Sequence, residues 1–228
     1  MLALALLGLS LLGAPAAARA DRGAPSFSWA QVMRLAGGEG PRREVLERAL
    51  EAFTCSGVPW RAPLLTVIDY SLPSSVRRLW VIDLRRAQVL FHELVAHGRG
   101  TGDLLAERFS NASGSHQTSL GLYQTLATYQ GEHGHSLRLR GLEPGVNDRA
   151  EERAIVMHPA WYVSEDHVRR WGRLGRSQGC PALDPAVHRE VIDTIEGGTA
   201  LFAWYPDAAW LRSSRAQCRD SGTADAGL

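Results

Sequence analysis

The spacing of hydrophobic residues changes along the chain and separates a helical segment from a β-rich one. In residues 41–54 apolar side chains recur every three or four positions, as on one face of a helix, and Pro41 suits the first turn. From Leu64 onwards the pattern becomes short apolar runs bounded by turn residues, which is typical of strands. These runs are LLTVIDY, LWVIDL, VLFHELVAH, LGLYQTLATY, SLRLRGL, RAIVMH and ALFAWY. The predicted fold class is therefore mainly β with flanking helices.

Two further helices are predicted within the β-rich part. One begins at Ser164, which suits an N-cap because acidic residues follow it, and the other runs from an Asp184 cap to Gly197. After Pro206 the sequence becomes polar and loses its apolar periodicity. We therefore expect residues 207–228 to form a polar, largely disordered tail.

The start of the chain predicts export. An apolar run in residues 1–20 is followed by a small-x-small motif that ends at Ala20, as in a cleaved signal peptide. The run is too short to span a bilayer, so we expect a protein of the periplasm or cell envelope with no stable membrane span after signal removal. Residues 21–63 then form an N-terminal helical segment, and residues 64–206 form the main domain.

Composition bears on the choice of partner. The 228 residues are 45% hydrophobic and 21% charged, which is enough for one sizeable core. Basic residues, all of them arginine, number 25 against 24 acidic ones. This balance argues against nucleic acid or an anionic membrane as the main partner, because both usually require a clear basic excess.

The cysteine count leaves one thiol over. An exported protein meets an oxidising compartment in which cysteines pair, yet the chain has 3 of them: Cys55, Cys180 and Cys218. Cys55 and Cys218 flank the β-rich segment and are the candidate disulfide, although sequence alone does not decide reach. That pairing would leave Cys180 free.

The stretch around Cys180 carries the most chemical information. Its sequence, GRLGRSQGCPALDP, places glycines around the cysteine, so that backbone N–H groups could approach a substrate carbonyl and stabilise an oxyanion. Nearby arginines, Arg176 among them, would favour the thiolate and attract a carboxylate. On composition alone, an inert buried cysteine beside a solvated arginine face is the commoner arrangement.

A nucleophilic thiol needs a base, and two histidines are the main candidates. His158 ends the apolar run AIVM, as expected of a buried strand that delivers a side chain to the edge of a sheet. His97 ends a similar run and is the second candidate. The other histidines lie in predicted helices, loops or polar segments.

Two motifs suggest other chemistry but lack its context. His92 and His97 in HELVAH stand five residues apart rather than four, so they do not share a helix face for zinc, and we expect no metal. A looser group of Glu132, His133 and His135 stays open as a metal-binding alternative. Ser177 lies in a G-x-S-x-G motif but has neither the preceding strand nor the immediately following helix of a serine hydrolase. A serine hydrolase stays the weaker enzyme alternative.

Seven segments together resemble the murein L,D-transpeptidase catalytic domain family over residues 64–206. They are TVIDYSLPSSVRRLWVIDL, VLFHELVAHGRGTG, FSNASGSHQTSLGLYQT, HSLRLRGLEPGVND, RAIVMHPAWYVSE, GRLGRSQGCPALD and GGTALFAWYPD. The resemblance implies a β-sandwich and a cysteine acyltransferase that acts on peptidoglycan stem peptides without a cofactor. Such an enzyme would either form 3,3 cross-links or release D-Ala as a carboxypeptidase.

The resemblance also implies roles for individual residues. Cys180 would be the nucleophile and His158 its base. The backbone N–H groups of Gly179 and Cys180 would form the oxyanion hole, with Ser177 shaping the loop. The residues expected to bind substrate are Arg176, His97 and Tyr162. Pro159 stands where the family usually has glycine, and it is the one support for the alternative of an inactive wall-binding domain.

Overall fold

The computed structural model describes residues 26–214. The predicted signal peptide, Cys218 and the end of the predicted tail lie outside these residues. The helices are α1 (Trp29–Val32), a 3₁₀ turn (Met33–Leu35), α2 (Arg43–Cys55), α3 (Glu165–Trp171), α4 (His188–Ile195) and α5 (Ala208–Ser213). The strands are β1 (Leu64–Asp69), β2 (Leu79–Asp83), β3 (Gln88–Glu93), β4 (Val95–Ala96), β5 (Gly121–Gly131), β6 (Gly134–Gly141), β7 (Val156–Pro159), β8 (Ala182–Leu183) and β9 (Ala200–Trp204).

The strands form one sheet system in the order β3-β2-β1-β9-β5-β6-β7-β8-β4. The pairs β1·β9 and β7·β8 are parallel, and the other neighbours are antiparallel. Helices flank this sheet, so the predicted class, mainly β with flanking helices, is confirmed. Strands β7, β8 and β4 lie together at one end and carry the loop that contains Cys180.

Helix α2 covers the central strands of the sheet. Its buried side chains are Val45, Leu46, Ala49, Leu50, Ala52 and Phe53, and the helix packs against β1 and β9. Strands β2 and β9 are buried along their whole length, as expected of continuous apolar runs between two packed layers. The predicted helix over residues 41–54 is thus confirmed. Within residues 26–214 no helix has the length and apolar character needed to cross a membrane.

The predicted tail is wrong over its first residues, because Ala208–Ser213 form helix α5. Asp207 caps the helix by accepting a hydrogen bond from the N–H of Trp210 at 2.8 Å. The Trp210 ring lies 5.7 Å from that of Trp204, and its Nε1 donates to Glu143 at 2.9 Å. Buried Trp210 therefore anchors helix α5 to the core.

Helix α4 begins at His188, four residues after its predicted cap. The Asp184 carboxylate accepts from the N–H of Ala186 at 2.8 Å, and its carbonyl oxygen accepts from Val187 and His188. Asp184 thus caps a turn that leads into the helix. Ser164 does cap α3, since its hydroxyl accepts from the N–H of His167.

Candidate active site

A cleft of about 500 Å³ opens beside β7 and the loop that precedes β8. Cys180 lines the cleft together with four other predicted site residues: His158, Tyr162, Arg176 and Ser177. Its other lining residues are Arg99, Tyr129, Glu132, His133, Arg153, Ala154, Val156 and Gln178. The fold therefore gathers most of the predicted site into one cavity.

Cys180 is partly buried and held against the start of β7. Its Sγ lies 3.5 Å from the backbone nitrogen of Val156 and 3.8 Å from the carbonyl oxygen of Ala154. Burial raises the pKa of the thiol, while the Val156 N–H and the charge of Arg153 act in the opposite direction. Because burial dominates, the resting thiol is protonated at neutral pH.

His158 faces the same cleft from β7. Side chains alternate along a strand, so Val156 and His158 point into the cleft while Met157 enters the core. Nδ1 of His158 lies 2.9 Å from the carbonyl oxygen of Pro159. Burial lowers the pKa of the imidazole, with a smaller contribution from His133. A neutral ring that donates from Nδ1 presents Nε2 as a proton acceptor.

Pro159 fits the strand without breaking it. In the parallel ladder to β8, the donors are the N–H groups on either side of the proline, from His158 to Pro181 at 3.4 Å and from Ala160 to Leu183 at 2.9 Å. On its other edge β7 pairs with β6 only at Val156 and Met157. The missing N–H of Pro159 therefore costs the sheet no hydrogen bond.

The loop from Ser177 to Cys180 is closed by the serine hydroxyl. Ser177 Oγ donates to the carbonyl of Cys180 at 2.6 Å and accepts from the N–H of Gly179 at 3.1 Å. The Gly179 N–H, expected to serve an oxyanion hole, is thus already engaged within the loop. The Cys180 N–H has no acceptor among the described residues and is the donor left for an oxyanion.

Two glycines let this loop pack tightly on the neighbouring backbone. Gly179 has φ +124°, and a Cβ there would lie 2.9 Å from the carbonyl oxygen of Gln117. A Cβ on Gly98 would lie 2.8 Å from the Cα of Gly179. The Thr118 hydroxyl ties both segments, because it donates to the Gly179 carbonyl and accepts from the Gly98 N–H. Only residues without a side chain fit this contact.

His97 does not reach the cleft and is therefore not placed to bind substrate. Its side chain is fully buried, with Nδ1 2.8 Å from Nη2 of Arg78 and Nε2 3.3 Å from the carbonyl oxygen of Gly102. Burial, reinforced by the charge of Arg78, lowers the pKa of His97 to about 4. Its carbonyl accepts from the N–H of Ser177 at 3.0 Å, so His97 supports the cysteine loop from beneath.

Arg176 and Tyr162 do line the cleft. Nη1 of Arg176 lies 2.5 Å from the Asp103 carboxylate and 3.2 Å from the carbonyl oxygen of Gly102. Burial, and secondarily the charge of Cys180, raises the pKa of Tyr162 to about 12. The phenol is therefore neutral and can donate a hydrogen bond. A Cβ on Gly175 would lie 2.4 Å from Cβ of Tyr162, so that glycine makes room for the tyrosine.

Sequence reasoning missed several residues of the cleft wall, chiefly Arg99, Tyr129 and Arg153. Arg153 reaches the cleft from the turn before β7, and its Nη2 donates to the Gln117 carbonyl at 2.6 Å. It follows an acidic pair in the sequence, and nothing local distinguishes it from a surface arginine. Its position depends on how the segment near Gln117 folds over it.

Glu132 and His133, considered only as metal ligands, also line the cleft, at the turn between β5 and β6. The His133 ring stacks on His158 with centroids 4.5 Å apart. His135, the third member of that group, instead bonds Asp193 through Nε2 at 2.6 Å.

For two of the three cysteines, the bonding state agrees with the expectation from the sequence. Cys55 is disulfide-bonded, and Cys180 is a free cysteine. The predicted partner of Cys55, Cys218, lies outside the described residues. The pairing of these two cysteines therefore stays a prediction.

Several solved structures are similar to this chain at low sequence identity. The L,D-transpeptidase from Mycobacterium smegmatis is 16% identical, with a TM-score of 0.39, over 63% of this chain and 59% of that chain. The L,D-transpeptidase from Stackebrandtia nassauensis is 13% identical, with a TM-score of 0.39, over 72% and 67%. The helical cell shape determining protein Pgp2 from Campylobacter jejuni is 11% identical, with a TM-score of 0.43, over 69% and 55%.

The chain spans 59% of the length of the Mycobacterium smegmatis protein, which is less than two thirds. No curated protein matches the chain. The sequence model of the L,D-transpeptidase catalytic domain matches residues 39–204, which is more than half of the 228 residues. The chain therefore belongs to the L,D-transpeptidase catalytic domain family.

Proposed function

We propose that this protein is an exported cysteine acyltransferase of the cell envelope that acts on the tetrapeptide stems of peptidoglycan. The observation that carries the proposal is the shared cleft of Cys180 and His158, in which the Cys180 N–H has no acceptor within residues 26–214. A nucleophile, a base and an oxyanion donor are the parts that acyl transfer requires. Family membership supports the substrate class.

The first half-reaction forms a thioester. His158 Nε2 accepts the Cys180 thiol proton as the sulfur attacks the carbonyl of the third stem residue. The Cys180 N–H donates to the oxyanion, a type of contact worth about 10²–10³ in rate. His158 then gives its proton to the departing amine, the carbon–nitrogen bond breaks, and D-Ala leaves.

The second half-reaction regenerates the thiol. An amine of a neighbouring stem, or water, attacks the thioester while His158 removes a proton from it. Collapse of the tetrahedral intermediate breaks the carbon–sulfur bond, and the proton on His158 returns to Cys180. An amine acceptor gives a 3,3 cross-link, whereas water gives carboxypeptidase action.

The resting protonation state defines the role of the base. The pKa of Cys180 is raised and that of His158 is lowered, so the pair begins as a neutral thiol and a neutral imidazole. Proton transfer must therefore accompany attack rather than precede it. In the proposed mechanism His158 therefore acts as a general base, a role typically worth about 10²–10⁴ in rate.

The charges of the cleft suit a peptide with several carboxylates. The arginines that line it are Arg99, Arg153 and Arg176, the last of which pairs with Asp103, and Glu132 is the one acidic residue among the described lining residues. The Tyr162 hydroxyl, kept neutral by burial, adds a donor. Stem peptides carry carboxylates at their D-Ala terminus and on their acidic residues, which the guanidinium groups can bind.

The alternative nucleophile, Ser177, is poorly placed. Its hydroxyl donates to the Cys180 carbonyl at 2.6 Å and accepts from the Gly179 N–H, and it has no hydrogen bond to a base in the part of the chain that the structure describes. We therefore assign Ser177 to loop shape. Pro159 no longer supports the alternative of an inactive wall-binding domain, because the strand around that residue is intact.

The test is mass spectrometry of purified tetrapeptide muropeptides after incubation with the mature protein. We expect loss of D-Ala, with or without dimers, that disappears in Cys180→Ala. Ser177→Ala should retain a measurable fraction, since the serine shapes the loop without attacking. Full activity in Cys180→Ala would refute the thiol mechanism, and unchanged muropeptides with a folded parent protein would favour the wall-binding alternative.

A further inference from the structure

A strip of aromatic rings leads from the cleft onto the protein surface. We define the aromatic strip as Tyr162, Trp161, His167 and Trp171. Successive ring centroids along it lie 5.7, 5.8 and 6.3 Å apart. Tyr162 lines the cleft that holds Cys180, so the strip begins at the candidate active site.

The two tryptophans of the strip do not serve the core. Trp161 is 78% exposed and Trp171 is 64% exposed, the highest values among the large hydrophobic residues described. By contrast, Trp60 and Trp204 are buried in the main core. Helix α3, which carries Trp171, has no buried residue. Large exposed aromatic side chains that do not stabilise the fold are typical of binding surfaces.

Charged residues of both signs surround the strip, and Arg170 and Arg173 add positive charge beside His167. Glu165 pairs with Arg77 at 3.2 Å, and Asp166 pairs with Arg169. The indole Nε1 atoms of Trp161 and Trp171 have no hydrogen-bond partner among the described residues. The strip thus offers apolar ring faces and free N–H donors, which suit a ligand that combines apolar faces with hydrogen-bond acceptors.

We propose that the aromatic strip binds the glycan strand of the substrate, through the apolar faces of N-acetylated sugar rings. This inference rests on the proposed function, because a stem peptide in the cleft is attached to such a strand. Sugar rings present C–H faces that pack on aromatic rings, and their acetamide oxygens accept from indole N–H groups. Continuity with the cleft through Tyr162 would bring glycan and peptide to adjacent sites.

The experiment measures binding apart from turnover. In a Cys180→Ala background, we would titrate a β-1,4-linked tetramer of N-acetylglucosamine by calorimetry and measure co-sedimentation with intact sacculi. We expect the double variant Trp161→Ala, Trp171→Ala to bind both at least tenfold more weakly. Trp29→Ala is the matched control, because it removes a 39% exposed tryptophan far from the strip in sequence, and its binding should not change.

Several outcomes would overturn the inference. They are absence of tetramer and sacculus binding in the Cys180→Ala protein, equal binding by the double variant, and an equal loss in Trp29→Ala. Tryptophan-dependent binding to anionic phospholipid vesicles, or tryptophan-dependent self-association, would assign the strip to a membrane or to a second copy instead. Circular dichroism and a melting curve confirm that the variants fold, with Trp161→Phe, Trp171→Phe as a milder pair that should retain part of the affinity.

The result is separable from the fate of the proposed function. Binding is measured without the nucleophile, so the strip can bind glycan even if Cys180 proves inert. Conversely, Cys180-dependent release of D-Ala with no contribution of the tryptophans to binding would refute this inference alone.

Discussion

His133 stacks on His158, with ring centroids 4.5 Å apart and an interplanar angle of 27°. His133 lies at the turn between β5 and β6, whereas His158 lies on β7, so the contact is made by tertiary structure. The stacked ring limits rotation of the His158 imidazole, while the bond from Nδ1 to the Pro159 carbonyl fixes its orientation in the plane. Together, the stacking by His133 and the hydrogen bond to Pro159 hold Nε2 of His158 towards the cleft.

Two substitutions of His133 should separate the effect of its ring stacking from the effect of its charge. His133→Ala removes the stacking surface, and we expect kcat/KM for D-Ala release to fall about tenfold, as for loss of part of a general-base contribution. His133→Phe keeps a ring but removes the charge that lowers the pKa of His158. Its rate should stay closer to the parent, and the acid limb of its pH profile should move to higher pH.

A pH–rate profile for the two variants distinguishes an effect of His133 on the orientation and pKa of His158 from a purely structural role. His188→Ala is a control, since that partly buried histidine bonds the Pro185 carbonyl and its ring lies 6.5 Å from that of His135, outside the lining of the cleft. Unchanged rates and unchanged acid limbs in both His133 variants would show that the stacking has no effect on the base.

The protonation state of Cys180 gives a second prediction. Because burial raises the pKa of its thiol above the ordinary value of 9.0, little thiolate should be present at pH 7. The rate of alkylation by iodoacetamide should therefore climb continuously from pH 6 to beyond pH 9. Mass spectrometry of the labelled protein measures this, with Cys180→Ala as the unlabelled control. A plateau below pH 7 would instead indicate a preformed thiolate–imidazolium pair.

Much of the fold was predictable because its strands are local apolar runs with turn residues between them. What could not be predicted depends on contacts distant in sequence. Strand β8, Ala182–Leu183, exists only through its pairing with β7 and β4. Helix α5 depends on the bond between Trp210 and Glu143, which are 67 residues apart. Neither feature has a local periodicity long enough to reveal it.

The site was predictable where its signal is local. Glycines beside Cys180 indicated a loop built for close backbone contact, and the strand before His158 indicated a delivered base. His97 ends an equivalent run, and only the tertiary structure separates a histidine buried against Arg78 from one facing the cleft. His133 was missed as a partner of the base because its ring is brought to His158 by a hairpin turn.

Gly179 provides a third prediction. Gly179→Ala would place a methyl group 2.9 Å from the Gln117 carbonyl oxygen at a φ of +124°, so the loop must shift. Backbone strain of this kind costs about 1–3 kcal/mol, and displacement of the Cys180 N–H should lower kcat/KM by about 10²-fold or more. Urea unfolding and D-Ala release measure the two effects. Gly145→Ala, with φ +79° and open space, should cost stability without a comparable loss of rate. Parent-like rates in Gly179→Ala would refute the assignment of the oxyanion donor.

The buried pair of Arg78 and His97 gives the last prediction, which concerns stability in acid. Burial and the charge of Arg78 lower the pKa of His97 to about 4 in the folded protein, against 6.5 for an unperturbed histidine. The smaller influences come from Arg176, which lowers this pKa, and from the carbonyl groups of Gly102 and Asp103, which raise it. Since the folded pKa lies below the unfolded value, the unfolded chain binds the proton first as the pH falls.

Stability should therefore be lost between pH 6.5 and pH 4, and the contribution of His97 amounts to about 3 kcal/mol at the lower end. His97→Gln keeps a side-chain oxygen that can accept from Arg78 but does not titrate. Urea unfolding at pH 7 and pH 4 should show the parent losing about 3 kcal/mol more than this variant. All other side chains are the same in the two proteins, so the difference isolates His97. Equal losses in the two proteins would mean that folding does not lower the pKa of His97, so that its ring is protonated beside Arg78 in the folded state as well.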